Sequence, residues 1–498
     1  MRRLLVASIL SVALAVPAGP AFAADTPVPG DAAYLKRDNQ NQAAGWGRNI
    51  AQLTDPAYLS AALAQLGPVT FATWLEQAKR LNRPSLTLQT LLPPTALGNP
   101  LRKDWAGRRG QTAEVAFTNR YGALLRGTVF APLPGAKDPY TGAALKGPFP
   151  SVVITPGSVQ GLRTMYTWLA QDLAERGYVV MTFDVQGQGQ SETFPHLGDL
   201  VDLPSCDQAA TPLPGESGGC PGVPFQQPSN FVFGSVDAID FFQSTPDRPY
   251  PNPARGSAKV DAANPFWKLV DASPDPDSAT PGRTGRLALI GHSLGAAAAA
   301  SVQGTDQRVS TIVALDKLQS GKGGLPVTPV VPALGLQAEF GALPVPYTSF
   351  CPGFSFSTCP GGDPAKAPNP QRERGTGFDA WKAAGVDSAV FVTGASSHFD
   401  YTDLPLILPA SRYGQQLSSA YTQAWLAKYL KHDPAADALL TGSRFAYREP
   451  GRGNLTTLDR DKLLSFYFCS AYHFRTDDDF LPAGNGVADS PDVTNAGC

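Results

Sequence analysis

The chain has 498 residues, a formal net charge of −2 and an isoelectric point of about 6.2. This near balance of charge gives no reason to expect a nucleic acid or an anionic membrane surface as a partner. Hydrophobic residues make up 43% of the chain, enough for a full core. The length permits one large domain or two to three small ones.

The N-terminus has the pattern of an export signal. Two arginines precede an apolar stretch at residues 4–16, and a small-x-small cleavage site ends at Ala23. The apolar stretch is too short to span a bilayer comfortably. We therefore predict a Sec-type signal peptide in residues 1–23, cleavage before Ala24, a secreted mature protein and no stable membrane insertion.

The cysteines agree with an extracellular location. All six lie in the mature chain, an even number that fits an oxidising compartment. Pairing nearest neighbours along the chain is the simplest arrangement, and each bond would then close a loop or the C-terminal tail. The predicted pairs are Cys206–Cys220, Cys351–Cys359 and Cys469–Cys498. No Cys-x-x-Cys motif or His/Cys cluster is present in the sequence, and we predict no metal site and no cofactor.

The first part of the mature chain is predicted to be helical. Residues 24–111 contain two helical patterns, at 55–66 and 71–81, followed by several prolines. We interpret this part as an N-terminal helical extension. Residues 112–118 and 123–131 then alternate between apolar and polar side chains, which predicts an antiparallel pair of strands.

Strands and helices alternate from residue 151 onward. Strand patterns lie at residues 151–155, 178–183, 286–290, 309–315, 331–336 and 388–392, and helical patterns at 164–176, 231–242, 296–300, 378–384 and 412–431. This alternation predicts an α/β fold with a doubly wound, mostly parallel sheet in a domain spanning residues 112–435. Pro/Gly-rich insertions are predicted at about 193–229, 246–285 and 340–376, and residues 436–498 form a C-terminal extension.

The stretch RLALIGHSLGAAAAASVQ carries the strongest motif. Residues 291–295 match G-x-S-x-G between an apolar strand pattern and a run of alanines that favours a helix. Strand, tight turn and helix are the context of a nucleophile elbow, which predicts Ser293 as a nucleophile. Residues 215–219 match the same motif without a strand before or a helix after them, so we interpret that copy as a loop.

A nucleophilic serine needs a histidine base and an acid that orients the base. In α/β-hydrolases both follow the serine along the chain. His398 lies in a loop just after the strand pattern at 388–392, at the predicted carboxyl edge of the sheet, and is the candidate base. His292 is adjacent to the nucleophile and is directed away from it, while His432 and His473 lie at a helix end and in the tail.

Two acids end strands that follow the elbow. Asp316 ends the strand pattern in TIVALDK, and Glu339 ends the next one in ALGLQAEF. Both carboxylates would emerge at the same sheet edge as Ser293, so the strand pattern alone leaves the choice between them open.

The segments TPGSVQGLRTMY, GHSLG, VALD and SSH together resemble the α/β-hydrolase fold family. Within it they resemble the platelet-activating-factor acetylhydrolases and the cutinase-like polyester hydrolases. In the acetylhydrolases the acid follows the strand after the elbow, where Asp316 stands, and the next strand ends in a non-catalytic Glu, where Glu339 stands. The polyester hydrolases carry their Asp at the position of Gly341. The resemblance therefore implies Asp316 as the acid.

The oxyanion hole of such an enzyme needs two backbone N–H donors. One is the amide after the nucleophile, that of Leu294. The resemblance implies that the second is the amide that follows Gly157, which belongs to Ser158.

These residues predict a secreted serine esterase or lipase that needs no cofactor and acts on a small-molecule, lipid or polymer ester. Two alternatives stay open at this point. An acyltransferase or peptidase would use the same triad and differ only in the acyl acceptor or the scissile bond. A non-catalytic binding module on a hydrolase fold is the third interpretation. The sequence does not define the oligomeric state.

Overall fold

The fold comes from a computed structural model, which describes residues 30–80, 87–158, 161–193, 227–256, 258–321, 324–345, 368–406, 412–442, 444–448, 455–459, 463–465 and 467–475. The predicted signal peptide, every cysteine except Cys469, and most of the insertions predicted at 193–229 and 340–376 lie outside these residues. The second G-x-S-x-G match, at 215–219, also lies outside them.

Nine strands of the described residues form one mixed sheet, and two form a separate hairpin. The strands are β1 (Gly110–Thr118), β2 (Leu124–Pro132), β3 (Ser151–Thr155), β4 (Val179–Asp184), β5 (Leu287–His292), β6 (Val309–Leu315), β7 (Ala333–Ala338), β8 (Ser388–Thr393), β9 (Arg444–Arg448), β10 (Leu455–Asp459) and β11 (Ala471–His473). The order across the large sheet is β1-β2-β4-β3-β5-β6-β7-β8-β11. The six strands from β4 to β8 in this order pair in parallel. The predicted α/β class with a mostly parallel sheet is confirmed.

Helices cover both faces of this sheet. They are α1 (Ala32–Ile50), α2 (Pro56–Ala78), α3 (Leu88–Leu91), α4 (Thr167–Glu175), α5 (Pro228–Phe242), α6 (Leu294–Thr305), α7 (Arg372–Thr376), α8 (Phe378–Ala383), α9 (Arg412–Lys431) and α10 (Ala436–Thr441). Val152 and Ile154 of β3 share a core with residues of α4 and α9, whereas Val153 shares the other core with α5 and α6. Successive side chains of a strand point to opposite faces, so a sheet covered on both faces requires the continuous apolar strands that the sequence has.

The N-terminal part differs from the predicted pattern in two ways. The patterns at 55–66 and 71–81 form one helix, α2, which continues through Pro68 although proline removes a backbone donor there. Helix α1 was not predicted, because its buried side consists largely of polar and small residues. These are Tyr34, Asp38, Asn41, Gly45 and Asn49. Hydrophobic periodicity does not detect such a face.

The segment predicted as a C-terminal extension contributes to the main sheet. Strand β11 pairs antiparallel with β8 at the sheet edge, and β9 and β10 form an antiparallel hairpin. The described part of the predicted insertion at 246–285 is irregular apart from a short 3₁₀ turn at Trp267–Leu269. Within the described residues, no helix combines the length and the apolar character needed to cross a membrane.

Candidate active site

Ser293 sits in a strained turn between β5 and α6. Its backbone has φ 55° and ψ −120°, which is an unfavourable combination for a residue with a side chain. A Cβ atom on Gly291 would overlap the carbonyl oxygen of Gly295, and one on Gly295 would overlap the carbonyl oxygen of Pro156. The glycines of the motif therefore allow the close backbone approaches that create the turn.

His398 and Asp316 form a hydrogen bond at the same sheet edge. Asp316 follows β6, and its Oδ2 lies 2.6 Å from Nδ1 of His398. The second oxygen, Oδ1, accepts from the N–H of Ala338 at 3.2 Å. The N–H of His398 donates to the carbonyl of Gly341 at 3.0 Å, which fixes the start of the turn that carries the imidazole. Since β5, β6 and β8 are parallel neighbours or near neighbours, their carboxyl ends bring Ser293, Asp316 and His398 to one edge.

The surroundings of Asp316 favour its carboxylate form. Burial alone raises the pKa of this carboxyl group, but the hydrogen bond and charge of His398 outweigh burial, with a smaller contribution from Lys317. The net pKa is lower than the ordinary value for aspartate. Asp316 is therefore an anionic acceptor that orients the imidazole with a proton on Nδ1.

Glu339, the alternative acid, has other partners. It is fully buried at the end of β7. Its Oε2 accepts from the side chain of Asn41 and from the N–H of Ala395 at 2.6 Å, and its Oε1 accepts from Ser465 Oγ at 2.7 Å. The two carboxylate oxygens thus accept hydrogen bonds from three different parts of the chain. These contacts give Glu339 a structural role, because it connects the three segments.

His292 connects three parts of the site through a directed chain of hydrogen bonds. The N–H of Gly157 donates to the hydroxyl oxygen of Tyr166 at 3.0 Å, and that hydroxyl lies 2.8 Å from Nδ1 of His292. Nε2 of His292 lies 3.0 Å from the carbonyl oxygen of His398. A carbonyl oxygen only accepts, so Nε2 carries the proton and Nδ1 accepts from Tyr166. Tyr166 ends the segment TPGSVQGLRTMY but was not among the predicted site residues, because its partner His292 lies in another segment.

Burial keeps His292 neutral. It lowers the pKa of the imidazole to about 3, and the charge of His398 acts in the same direction. A neutral ring can accept at one nitrogen and donate at the other, as the chain of hydrogen bonds requires. His292 is thus a link between the loop of Gly157, the elbow and the loop of His398.

The predicted oxyanion donors lie beside Ser293. Leu294 is the first residue of α6, and an N–H in the first turn has no acceptor within its own helix. A Cβ atom built on Gly157 would lie 3.1 Å from Cβ of Ser293, so Gly157, whose carbonyl group forms a peptide bond with the nitrogen of Ser158, lies next to Ser293.

Asp400, two residues after His398, is fully buried in the same 3₁₀ turn (His398–Tyr401). Its Oδ1 accepts from Ser397 Oγ at 3.2 Å, while its Oδ2 has no hydrogen-bonding partner among the described residues. Burial raises its pKa to about 7, against the opposing effect of the hydrogen bonds from Ser397.

Cys469, the one described cysteine, is buried next to Ser470, whose hydroxyl accepts from the N–H of Val392 near the carboxyl end of β8. The three predicted disulfide pairings involve partners outside the described residues. The described residues also include one group, Asp275, Asp277 and His432, whose ligand atoms lie within 4.8 Å of one another. His432 Nε2 lies 2.9 Å from both carboxylate oxygens of Asp275, and Arg286 lies 3.4 Å from that carboxylate. Arg286 thus supplies a positive charge to Asp275, and His432 contacts both of its carboxylate oxygens, so this carboxylate already has two partners.

A cavity of about 930 Å³ lies at the opposite edge of the sheet. Its lining includes Gly285 and Arg286 before β5 and Arg308 before β6. Ligands of open parallel sheets bind at the carboxyl ends of the strands. The cavity therefore belongs to a different part of the molecule from Ser293.

The chain matches no protein-family model, and no curated protein is significantly similar to it. The functional assignment therefore depends on the geometry of this edge.

Proposed function

We propose that the chain is a serine hydrolase of the α/β-hydrolase family that cleaves carboxylic esters through an acyl-enzyme. The observation that carries this proposal is the 2.6 Å hydrogen bond between His398 and Asp316, at the edge where Ser293 occupies a strained turn between strand and helix. The chain order serine, acid, histidine and the strand–turn–helix context are those of α/β-hydrolases. Asp316 is the acid in this proposal, and Glu339 is a structural carboxylate.

Each residue has one task in the proposed reaction. Asp316 keeps the proton of His398 on Nδ1, which leaves Nε2 as the base for the Ser293 hydroxyl. Ser293 Oγ attacks the ester carbonyl while its proton moves to Nε2. The N–H groups of Leu294 and Ser158 stabilise the oxyanion, a contribution of about 2.7–4 kcal/mol per donor. The alcohol takes the proton from His398 as it leaves, and water then releases the acid by the same proton route.

The same triad would support transfer of the acyl group to another acceptor, or peptide hydrolysis. No described contact favours either of these over ester hydrolysis. We further propose that the enzyme is secreted after removal of residues 1–23 and that its substrate is a small-molecule, lipid or polymer ester.

The test is hydrolysis of p-nitrophenyl esters from acetate to palmitate by the wild type and three variants. Ser293→Ala should abolish turnover. Asp316→Asn should lower kcat on the order of 10⁴-fold, because the imidazole loses the acceptor that fixes its tautomer. Glu339→Gln, the matched control, should lose far less activity. The acyl length with the highest kcat/KM then defines the substrate class, short for an esterase and long for a lipase.

Labelling with a fluorophosphonate separates the alternatives. A wild type that labels at Ser293 and hydrolyses no ester would be a serine enzyme with a different acceptor or scissile bond. A wild type that neither labels nor hydrolyses would contradict the enzyme proposal and leave the binding module.

A further inference from the structure

The loop after β4, sequence DVQGQGQS, contacts the loop that carries the proposed oxyanion donor. Gln188 in this loop is fully buried. Its Nε2 donates to the carbonyl oxygen of Gly157 at 2.8 Å, and its Oε1 accepts from the N–H of Gly161 at 3.0 Å. One side-chain amide thus binds both sides of the loop, and the two bonds fix which end of the amide faces Gly157.

The carbonyl of Gly157 belongs to the same peptide group as the N–H of Ser158. This peptide is trans, so the two groups are coplanar and point in opposite directions. The loop follows β3, which lies between β4 and β5 in the sheet. Gln188 follows β4, and Ser293 follows β5. A Gly157 carbonyl that points toward the β4 side therefore turns the Ser158 N–H toward the β5 side, where Ser293 lies.

Other contacts of the described loop residues support this orientation. The N–H of Gly157 is bound by the Tyr166 hydroxyl, so both peptide groups that flank Gly157 have a side-chain partner. Gly161 packs directly on Gly157, and a Cβ atom there would overlap the Gly157 carbonyl oxygen. If the peptide rotated, the buried Nε2 of Gln188 would lose its acceptor, and an unsatisfied buried donor is costly.

We propose that Gln188 is a positioning residue of the oxyanion hole, which aims the Ser158 N–H at the nucleophile by holding the Gly157 carbonyl. The oxyanion role depends on the function proposed above. The control over the peptide orientation does not, because it follows from contacts within the loop.

The experiment compares Gln188→Glu and Gln188→Met with the same substitutions at Gln186. Gln186 is a matched control, since it is buried in the same loop but bonds to Asn119 and Thr193. We expect kcat for a p-nitrophenyl ester to fall on the order of 10–100-fold in the Gln188 variants, less than the 10²–10³-fold that loss of an oxyanion donor costs. KM should change little, because the affected contact forms with the transition state. The kcat of the Gln186 variants should remain close to that of the wild type.

The pH profile distinguishes positioning from general support of the fold. A carboxylate introduced at position 188 accepts from Gly161 but cannot donate to the Gly157 carbonyl, whereas a protonated carboxyl group can. Burial favours the protonated form. The kcat of Gln188→Glu relative to the wild type should therefore rise as the pH falls from about 8 to about 6, and that of Gln188→Met should not.

Crystal structures of the wild type and Gln188→Glu provide a readout that needs no activity. We expect the Gly157–Ser158 peptide to be rotated in the variant at alkaline pH. An unchanged peptide, or a loss of kcat no larger than in the Gln186 variants, would overturn the proposal. An inert wild type would overturn the oxyanion role together with the proposed function, and the peptide orientation would still decide whether Gln188 holds the loop.

Discussion

Three buried ionisable side chains lie at the sheet edge that carries His398, and each has a different charge at neutral pH. His292 is neutral because burial lowers its pKa to about 3. Asp316 stays anionic because the hydrogen bond and charge of His398 outweigh burial, which by itself raises the pKa of this carboxyl group. Asp400 has a pKa of about 7 and is partly protonated. Groups with pKa values displaced in opposite directions at one place are typical of sites that move protons. They also make the stability of this edge depend on pH.

Asp400→Asn should make the protein more stable at alkaline pH. The pKa of Asp400 is about 7 in the folded chain and 3.8 for the unperturbed group, so the folded state retains a proton that the unfolded state releases. The stabilisation that the Asp400 carboxyl group contributes is complete below its pKa in the unfolded chain, and it is lost as the pH rises through about 7. The amide cannot ionise, so the Tm advantage of the variant should be larger at pH 8 than at pH 5.

The control is Asp247→Asn, at an exposed position. Thermal unfolding of both variants and the wild type across this pH range provides the measurement. A Tm difference between Asp400→Asn and the wild type that is equal at the two pH values would contradict the expected coupling.

Among the single elements, helix α1 supports the loop before His398 through hydrogen bonds. Arg48 donates to the carbonyl of Gly394 at 2.7 Å, and Asn41 donates to Glu339, which in turn accepts from the N–H of Ala395. Asp38 accepts from the Tyr467 hydroxyl at 2.7 Å. The N-terminal helix is therefore part of the framework that holds the loop before His398.

Two glycines of α1 should respond in opposite ways to alanine. A Cβ atom on Gly45 would lie 2.8 Å from the carbonyl oxygen of Ala395 and 3.0 Å from Pro344, whereas one on the exposed Gly47 would meet nothing within 4 Å. Gly47→Ala should stabilise the protein by about 0.5–1 kcal/mol through helix propensity. Gly45→Ala should destabilise it and lower kcat, because α1 must move away from the loop before His398.

Urea unfolding and ester kinetics of the two variants test this contrast, and each variant is the control of the other. Equal stabilisation by both substitutions, with kcat unchanged, would show that α1 does not pack closely on the loop of Ala395.

The elements that the sequence predicted well are those set by local pattern. Strand β3 and helix α9 have the predicted bounds, because continuous apolar runs and helical spacing are local signals. The turn at Ser293 was predicted for the same reason, since the glycines that permit it are adjacent in sequence. Helix α1, strand β11 and the roles of Tyr166 and Gln188 were missed. Their interactions are polar and join distant parts of the chain, so the hydrophobic periodicity of the sequence does not reveal them.

The choice between Asp316 and Glu339 shows the same limit. Both acids end strands at the same edge, so the strand pattern left the choice open and only a resemblance favoured Asp316. What separates them in the structure is the set of donors that each carboxylate meets: His398 and Ala338 for Asp316, and segments from both ends of the described chain for Glu339.

At the scale of the whole molecule, the C-terminal segment completes the sheet beside the strand that leads to His398. Strand β11 pairs with β8, and Leu464 bridges to Thr393. The N–H of Gly394 donates to Leu463 at 2.8 Å, and Ser465 donates to Glu339. The C-terminal segment thus returns to the loop before His398, where it also contacts α1 through the hydrogen bond between Tyr467 and Asp38.

A chain that ends at residue 462 should lose stability and activity together. It would expose the apolar edge of β8 and remove the Ser465 donor from the buried Glu339 carboxylate, a loss of about 1.5–3 kcal/mol for that bond alone. We expect a Tm lower by at least about 2 °C, concentration-dependent association and reduced kcat. Because the truncation also removes Cys469 and Cys498, the control is the full chain with Cys469→Ala and Cys498→Ala, which keeps the strand. A truncated chain that stays monomeric and has the Tm and kcat of this control would contradict the prediction. It would show that β8 does not need a strand paired to its edge for stability or activity.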